Sequence, residues 1–257
     1  VCNRQIRWGS LLSHAQALGA QYLATGHYAR LRPSDDGDGV QLLRGLDENK
    51  DQSYILSRLS QAQLCASLFP LGDLRKPQVR EIARSHGLPV AERADSQDLC
   101  FLGSQDYRSF LLRHAPQAMQ RGAIVNRQGS VLGEHQGLAF YTIGQRKGLG
   151  IAAPEAYYVL EKDLARNELV IGFAHELGKD ELRVADANWI RGEAPEGPVR
   201  VQVKIRYKAR FAEATLIPLP DGQAQVQFDQ PMRDITAGQL AVFYGGDIVL
   251  GSGIIQG

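Results

Sequence analysis

Between Val199 and Ile205 every second residue is apolar: Val199, Val201, Val203 and Ile205 alternate with Arg200, Gln202 and Lys204. That period-two pattern specifies a strand with one dry and one wet face. Such a strand cannot satisfy its dry face alone, so it demands a second layer or a closed sheet. The alternation returns at Ala224, Val226 and Phe228, and again at Leu240, Val242 and Tyr244. Tyr244-Gly245-Gly246-Asp247 then reads as a tight hairpin turn. Several short strands separated by turns predict a small C-terminal β-barrel over residues 181–257.

Upstream, residues 116–180 read as a second β-rich region. Ala123-Ile124-Val125-Asn126 and Val131-Leu132 flank a turn at Arg127-Gln128-Gly129, and Tyr157 to Leu160 pairs naturally with Glu168 to Ile171. Residues 1–115 carry helical spacing instead. Ile6, Leu11, Leu12, Ala15 and Leu18 predict a helix over 4–18 stopped by Gly19. Residues 21–25 follow as a short buried strand running into Gly26-His27-Tyr28. Residues 60–68 predict a helix burying Leu64, Cys65 and Leu68, and residues 76–87 one with Pro77 near its start and Gly87 just past its end. Ser104 reads as the cap of a further helix presenting Tyr107, Phe110 and Leu111. Helix, strand and a glycine at the strand's carboxyl end make half of a doubly wound α/β unit, where ligands bind at strand ends. The expected fold class is therefore α/β plus β, with a partial doubly wound domain, a central β-rich domain and a terminal barrel.

Three cysteines, Cys2, Cys65 and Cys100, are too few and too scattered for a disulfide framework or a Cys-x-x-Cys metal site, so a reducing, cytoplasmic setting and no metal are expected. No run of 18 apolar residues occurs, which predicts no membrane partner. A net charge of +1 means that any nucleic-acid contact must come from local patches.

The chemistry-bearing stretches are few. Cys100 sits in Asp98-Leu99-Cys100-Phe101-Leu102-Gly103, between carboxylates and an apolar run; it reads either as a buried small hydrophobe or as a thiol whose reactivity exposure and nearby cations control. Asp47-Glu48-Asn49-Lys50-Asp51-Gln52-Ser53 precedes an apolar helix. It reads either as a charged cap, with Asp51 or Ser53 at the N-cap, or as a loop whose Lys50 and Gln52 meet a phosphate or base. Arg146 and Lys147, within a glycine-rich segment, are natural phosphate partners or ordinary surface charge. The wet face from Arg200 to Arg210, with no acid between them, is the best local footprint for RNA or a solvated strand face.

Taken together these stretches resemble the tRNA-specific 2-thiouridylase family. The matching residues are Cys2-Asn3, Ala24-Thr25-Gly26-His27-Tyr28, the run from Leu43 to Tyr54, Leu99-Cys100-Phe101, Gly133-Glu134-His135-Gln136-Gly137, Gly144-Gln145-Arg146-Lys147-Gly148-Leu149-Gly150 and Ala241-Val242-Phe243-Tyr244, in family order from end to end. The resemblance implies an ATP-dependent enzyme, with Mg2+, that places persulfide sulfur on C2 of the wobble uridine of tRNA. By resemblance Cys100 carries the persulfide, and Cys2 is the second catalytic cysteine, able to end disulfide-bonded to Cys100. Gly26 matches an ATP-contacting glycine. His27, Lys50, Asp51, Gln52, Arg206, Tyr207 and Gln239 match tRNA contacts. A sulfur-relay donor protein is the implied partner besides tRNA. The family's Ser-Gly-Gly-x-Asp-Ser pyrophosphate loop does not occur in these 257 residues, so the chain is expected to be truncated, to bind ATP poorly and to be inactive alone. Two other classes compete: a non-catalytic RNA-binding protein using the barrel, and a thiol oxidoreductase using Cys2 and Cys100.

Overall fold

The computed structural model describes residues 2–35, 37–92 and 106–257, without the side chains of residues 117 and 118. Residues 93–105, with Cys100 and Ser104 among them, lie outside the described residues. By its contacts the chain divides into two units, one of Val1–Arg93, Asp180–Gln230 and Ala237–Gly257, the other of Ala94–Lys179 and Pro231–Thr236.

The first unit opens on a helix, as the spacing predicts, but its first part, Cys2–Leu11, is wound as a π-helix, and only α1, Leu12–Ala17, is α-helical. The wider turn changes which residues face inward: Trp8 and Leu12 are buried, whereas Ile6, Leu11 and Leu18 are exposed. A ring of three hydrogen bonds, two of them involving Trp8, ties this helix to Gln63 and Ser67. Trp8 Nε1 donates to Ser67 Oγ at 2.5 Å, Ser67 Oγ to the Gln63 carbonyl at 2.6 Å, and Gln63 Nε2 back to the Trp8 carbonyl at 3.0 Å.

Strand β1, Leu23–Ala24, then leads to a hairpin of β2, Ala29–Pro33, and β3, Val40–Arg44. Two short helices follow, α2 (Ser53–Leu56) and α3 (Gln61–Cys65), then β4, Ser67–Leu68, and α4, Lys76–Ser85. β1 and β4 pair in parallel, Leu23 opposite Ser67. Among the described residues this two-stranded sheet leaves Ala24 and Leu68 exposed, so the predicted strand forms but is not buried. Cys65 is likewise exposed rather than core. α3 has five residues, Ser60 caps it, and its single inward position goes to fully buried Leu64.

In the second unit α5, Tyr107–His114, is capped by Asp106, whose carboxylate accepts from the amides of Arg108 and Ser109. Strands β5 (Gly122–Val125), β6 (Val131–His135), β7 (Tyr158–Asp163) and β8 (Glu168–Gly172) form one sheet in the order β6-β5-β8-β7. Both predicted hairpins are present. β5 and β8 join them in parallel, Ile124 opposite Leu169, over a core of Ile124, Leu138, Tyr141, Leu149, Val159, Leu169 and Ile171. Buried His135 pins this unit: its Nδ1 accepts the Gly137 amide at 3.1 Å and its Nε2 faces the Asn167 carbonyl at 3.0 Å.

The remaining strands are β9 (Lys179–Trp189), β10 (Val199–Lys204), β11 (Ala212–Leu219), β12 (Gln223–Met232), β13 (Leu240–Gly245) and β14 (Ile248–Ile255). They run β13-β10-β11-β12-β9-β14, and β13 pairs with β14 to close a six-stranded barrel. Val201, Val203, Ala214, Leu216, Ala224, Val226 and Phe228 are all buried, as the alternation requires. β13 departs from simple alternation. Ala241, Val242, Phe243 and Tyr244 are all buried, because Val242 and Tyr244 join the core of the N-terminal segment. That core also contains Trp8, Leu42, Tyr54, Leu56, Leu64, Phe69 and Ile190. The hairpin β2–β3 extends the barrel sheet through Ile248 opposite Leu43. Barrel and N-terminal segment therefore share one hydrophobic core, in which each fully buried leucine contributes roughly 1.5–3 kcal/mol.

Candidate functional site

Most of the predicted site residues among the described ones gather around α2 and the turn before it. That turn is built by carboxylates. Asp47 accepts the Asn49 amide at 3.1 Å through Oδ1 and the Lys76 amide at 2.9 Å through Oδ2, joining the turn to the start of α4. Asp51 is buried; its Oδ1 accepts the amides of Gly45 and Ser53, both at 3.0 Å, and its Oδ2 accepts Ser53 Oγ at 3.0 Å. Asp51 thus serves as a cap at the start of α2 and as the clamp between the turn and the end of β3. Ser53 Oγ also lies 3.3 Å from Tyr244 Oη, on β13.

Gln52 ties the same turn to Tyr28, the residue just before β2. Its amide donates to the Tyr28 carbonyl at 2.8 Å, and its Oε1 accepts the Tyr28 amide at 3.0 Å. The backbones pass so closely that a Cβ on Gly45 would stand 2.6 Å from the Tyr28 carbonyl oxygen. Gly26 is different. A Cβ there would make only an ordinary contact, 3.6 Å from Leu71 Cδ1, so the fold itself does not demand glycine. Tyr28 Oη is buried and, among the described residues, is the side-chain polar atom without a hydrogen-bond partner.

His27 is buried, 6 % exposed, between the rings of Trp8 at 5.5 Å and Phe69 at 6.1 Å. Arg7 Nη1 lies 3.3 Å from His27 Nε2, and Thr25 Oγ1 lies 2.8 Å from Nδ1. Arginine can only donate, so Nε2 accepts and Nδ1 carries the proton toward Thr25. Burial first, and the Arg7 charge second, pull the imidazole pKa down from 6.5 to about 4. Arg7 Nη1 also donates to Asn3 Oδ1 at 3.0 Å, and Asn3 Nδ2 donates to the Ile55 carbonyl at 3.3 Å. The exposed thiol of Cys2 is one residue away on the same π-helix.

From the barrel, Tyr207 approaches α2 with its ring 6.3 Å from that of Tyr54. Burial raises the Tyr207 pKa; nearby Asp51 adds to the rise and Lys50 opposes it. Burial also raises Tyr54 to about 12, against the opposing charge of Arg206. Tyr54 Oη donates at 2.9 Å to the carbonyl of Leu240, the residue after exposed Gln239. Lys204, half-buried, sits 4.5 Å from the centroid of the Phe211 ring, and the Arg44 guanidinium sits 4.8 Å from the same centroid. Burial lowers the Lys204 pKa, while Asp51 and Glu48 pull the other way. A cavity of about 210 Å³ opens here, lined by Gly45, Glu48, Asn49, Asp51, Lys204 and Phe211 among others.

Cys2, Gly26, His27, Lys50, Asp51, Gln52, Arg206, Tyr207 and Gln239 thus all belong to the first unit; Cys100 lies outside the described residues. The sequence reading missed Arg7 and Phe211. Arg7 lay on the predicted helix over 4–18, but its partner Asn3 preceded that range and joins the helix only in the structure; Phe211 carried no signal, since its contact depends on meeting Arg44 from a remote hairpin. The basic stripe is corrected in part. Arg200 forms a two-pronged pair with Asp229 of β12, at 2.8 and 2.5 Å, and Gln202 donates to Glu213 of β11 at 2.7 Å. Of the stripe, Lys204 and Arg206 act electrostatically on Asp51 and Tyr54, respectively, of the α2 region.

Three family descriptions match the chain in succession: a tRNA methyl transferase HUP domain over residues 1–104, a tRNA methyl transferase PRC-barrel domain over 108–173, and an aminomethyltransferase beta-barrel domain over 179–255. Among curated proteins, the tRNA-specific 2-thiouridylase MnmA of Moorella thermoacetica is 47% identical over 257 residues, covering 100% of this chain and 72% of that protein. The proteins of the same name from Desulfitobacterium hafniense and Magnetococcus marinus are 45% and 47% identical, with 99% of this chain matched and 72% and 71% of theirs. The chain thus spans about seven-tenths of the length of these relatives.

Proposed function

The chain belongs to the tRNA-specific 2-thiouridylase family, and we infer that it replaces the C2 oxygen of the tRNA wobble uridine with sulfur in an ATP-dependent reaction. The observation that carries this reading into the molecule is convergence. Residues from three remote stretches, 26–28, 50–52 and 206–207, meet around one short helix. The C2 oxygen of uridine is a poor leaving group, and adenylation by ATP, with Mg2+ balancing the phosphate charge, converts it into a good one. Gly26, whose missing side chain the fold does not require, is the proposed point of nucleotide approach. Two residues on, the Tyr28 Oη is buried without a hydrogen-bond partner among the described residues, a polar atom that a ligand could satisfy.

Sulfur then comes from a persulfide on Cys100, loaded by a donor protein. Its terminal sulfur attacks C2, the C–S bond forms, and AMP departs with the oxygen. The Cys2 thiolate next attacks the Cys100 sulfur. The S–S bond to the transferred sulfur breaks, its electron pair completes the thiocarbonyl, and a Cys2–Cys100 disulfide remains. Lys50, Arg206, Tyr207 and Gln239 are the proposed tRNA contacts. Buried Asp51 and Gln52 hold the contact turn in place. His27, with both ring nitrogens engaged, acts on the RNA through Arg7, which it orients. The N-terminal α/β segment is read as part of a doubly wound sheet. No helix among the described residues is long and apolar enough to cross a membrane, and a tRNA substrate fits a proposed cytoplasmic reaction. A barrel that merely bound RNA would not need Cys2 beside the Asn3–Arg7–His27 chain, so the non-catalytic reading is not favoured.

The test is mass analysis of tRNA nucleosides after the complete protein is incubated with tRNA, ATP and a persulfide source. The expected product is 2-thiouridine that requires ATP. A thiolated product at any other position, or formation without ATP, would overturn the reading.

A further inference from the structure

Residues 144–150 of the second unit are braced at every level while their two cations are left unused. The Gly144 amide donates to the Val159 carbonyl at 2.8 Å and the Val159 amide to the Gln145 carbonyl at 3.0 Å, lacing the stem of this loop to β7. The Gln145 side chain spans the turn, its Oε1 accepting the Thr142 amide at 3.0 Å and its Nε2 donating to the Lys147 carbonyl at 2.9 Å. Gly144 has φ +81°, and a Cβ there would fall 1.7 Å from Asp234 Oδ1, so only glycine fits. On the far side buried Leu149 anchors the loop in the core of the unit.

At the crest, Arg146 and Lys147 are both exposed. Among the described residues neither side chain makes an ion pair or a hydrogen bond. Beside them runs an open groove of about 660 Å³, floored by Leu149, Ile151 and Tyr157, with Glu155 as its acid. Two adjacent like charges repel, and among the described residues no ion pair offsets that repulsion, Glu155 lining the same groove without bonding to either. A rigid backbone that displays them lowers the ordering cost of binding a polyanion. Arginine matches a phosphate bidentately and lysine as a point charge.

We propose that Arg146 and Lys147 grip two backbone phosphates of the tRNA, a second contact region distinct from the residues around α2. The inference rests on the reading of the chain as a tRNA-modifying enzyme. It makes the contact electrostatic and indifferent to base sequence.

The experiment measures tRNA affinity against salt concentration for the complete protein and for R146A/K147A, R146Q/K147Q and the charge-keeping swap R146K/K147R. Each phosphate contact contributes about 0.7–0.9 to the slope of log K against log salt. The two neutral variants should therefore be shallower by about 1.5, and roughly ten- to twentyfold weaker at about 0.15 M salt. The swap should restore both values, which separates charge from folding. Unchanged slope and affinity in both neutral variants would overturn the proposal and leave the thiouridylase reading intact. Failure of the parent protein to bind tRNA at any salt concentration would remove both.

Discussion

His27 makes the packing of the site measurable through pH. Its pKa is lowered from 6.5 to about 4 by burial and by Arg7, while in the unfolded chain it returns to about 6.5. Between these values the unfolded state binds a proton that the folded state refuses. Stability is therefore full above pH 6.5, falls as pH drops through the window, and levels off below about 4. A shift of about 2.5 units at about 1.36 kcal/mol each gives roughly 3 kcal/mol across the window, of which about 2 kcal/mol is lost by pH 5. Both tryptophans, Trp8 and Trp189, belong to the first unit, and Trp8 lies 5.5 Å from the His27 ring, so tryptophan fluorescence follows the unfolding of that unit. Urea unfolding from pH 7 to 4.5 should be compared with His27→Gln, which loses the titration and leaves the other histidines and the carboxylates in place to cancel. The gap between the two proteins should narrow by about 1.4 kcal/mol per pH unit below 6.5. A gap constant over that range, or a ring resonance of His27 titrating near 6.5, would refute the buried, acceptor-Nε2 assignment.

Asp51→Asn should cost about 1–2 kcal/mol in the same unfolding assay, because a charge-assisted acceptor becomes a neutral one. Asp51→Ala should cost about 3 kcal/mol or more, because the donors of Gly45 and Ser53 lose their acceptor. Gly144→Ala should destabilise the second unit by more than about 2 kcal/mol, from left-handed backbone strain and the collision with Asp234; hydrogen exchange in β7 would report it. Arg206→Ala should weaken tRNA binding and reduce the salt slope by about 0.7–0.9, one phosphate's share; a slope equal to the parent's would remove Arg206 from the interface.

Local rules made much of the fold legible. Pro77 near the start and Gly87 past the end bound α4 within a residue or two, and glycine-containing turns marked the hairpins β5–β6 and β13–β14. What failed depended on partners far along the chain. Arg200 looked part of an uncompensated basic face because its neutralising Asp229 comes from another strand. Cys65 looked buried because helical spacing was extended past a helix that ends there in favour of β4. The apolar run of β13 reads as simple alternation, yet its outer face is buried by Tyr54 and Leu56 from the other end of the chain. In the candidate site the residue types were legible, and so was one of the two readings of Asp51, the charged cap; the packing of His27 between Arg7 and Thr25 was not. Both are buried, and their side chains bond to Gly45 and Ser53 in one case and to Arg7 and Thr25 in the other.

The central claim is that Cys2 and Cys100 act on one sulfur beside the α2 turn. Its most direct test is peptide mapping of the complete protein, persulfidated, after a single turnover with tRNA and ATP under non-reducing conditions. A Cys2–Cys100 linked peptide should appear in step with 2-thiouridine and be missing without ATP. Thiolated tRNA formed while both cysteines remain free, or with Cys65 as the linked partner, would contradict the account.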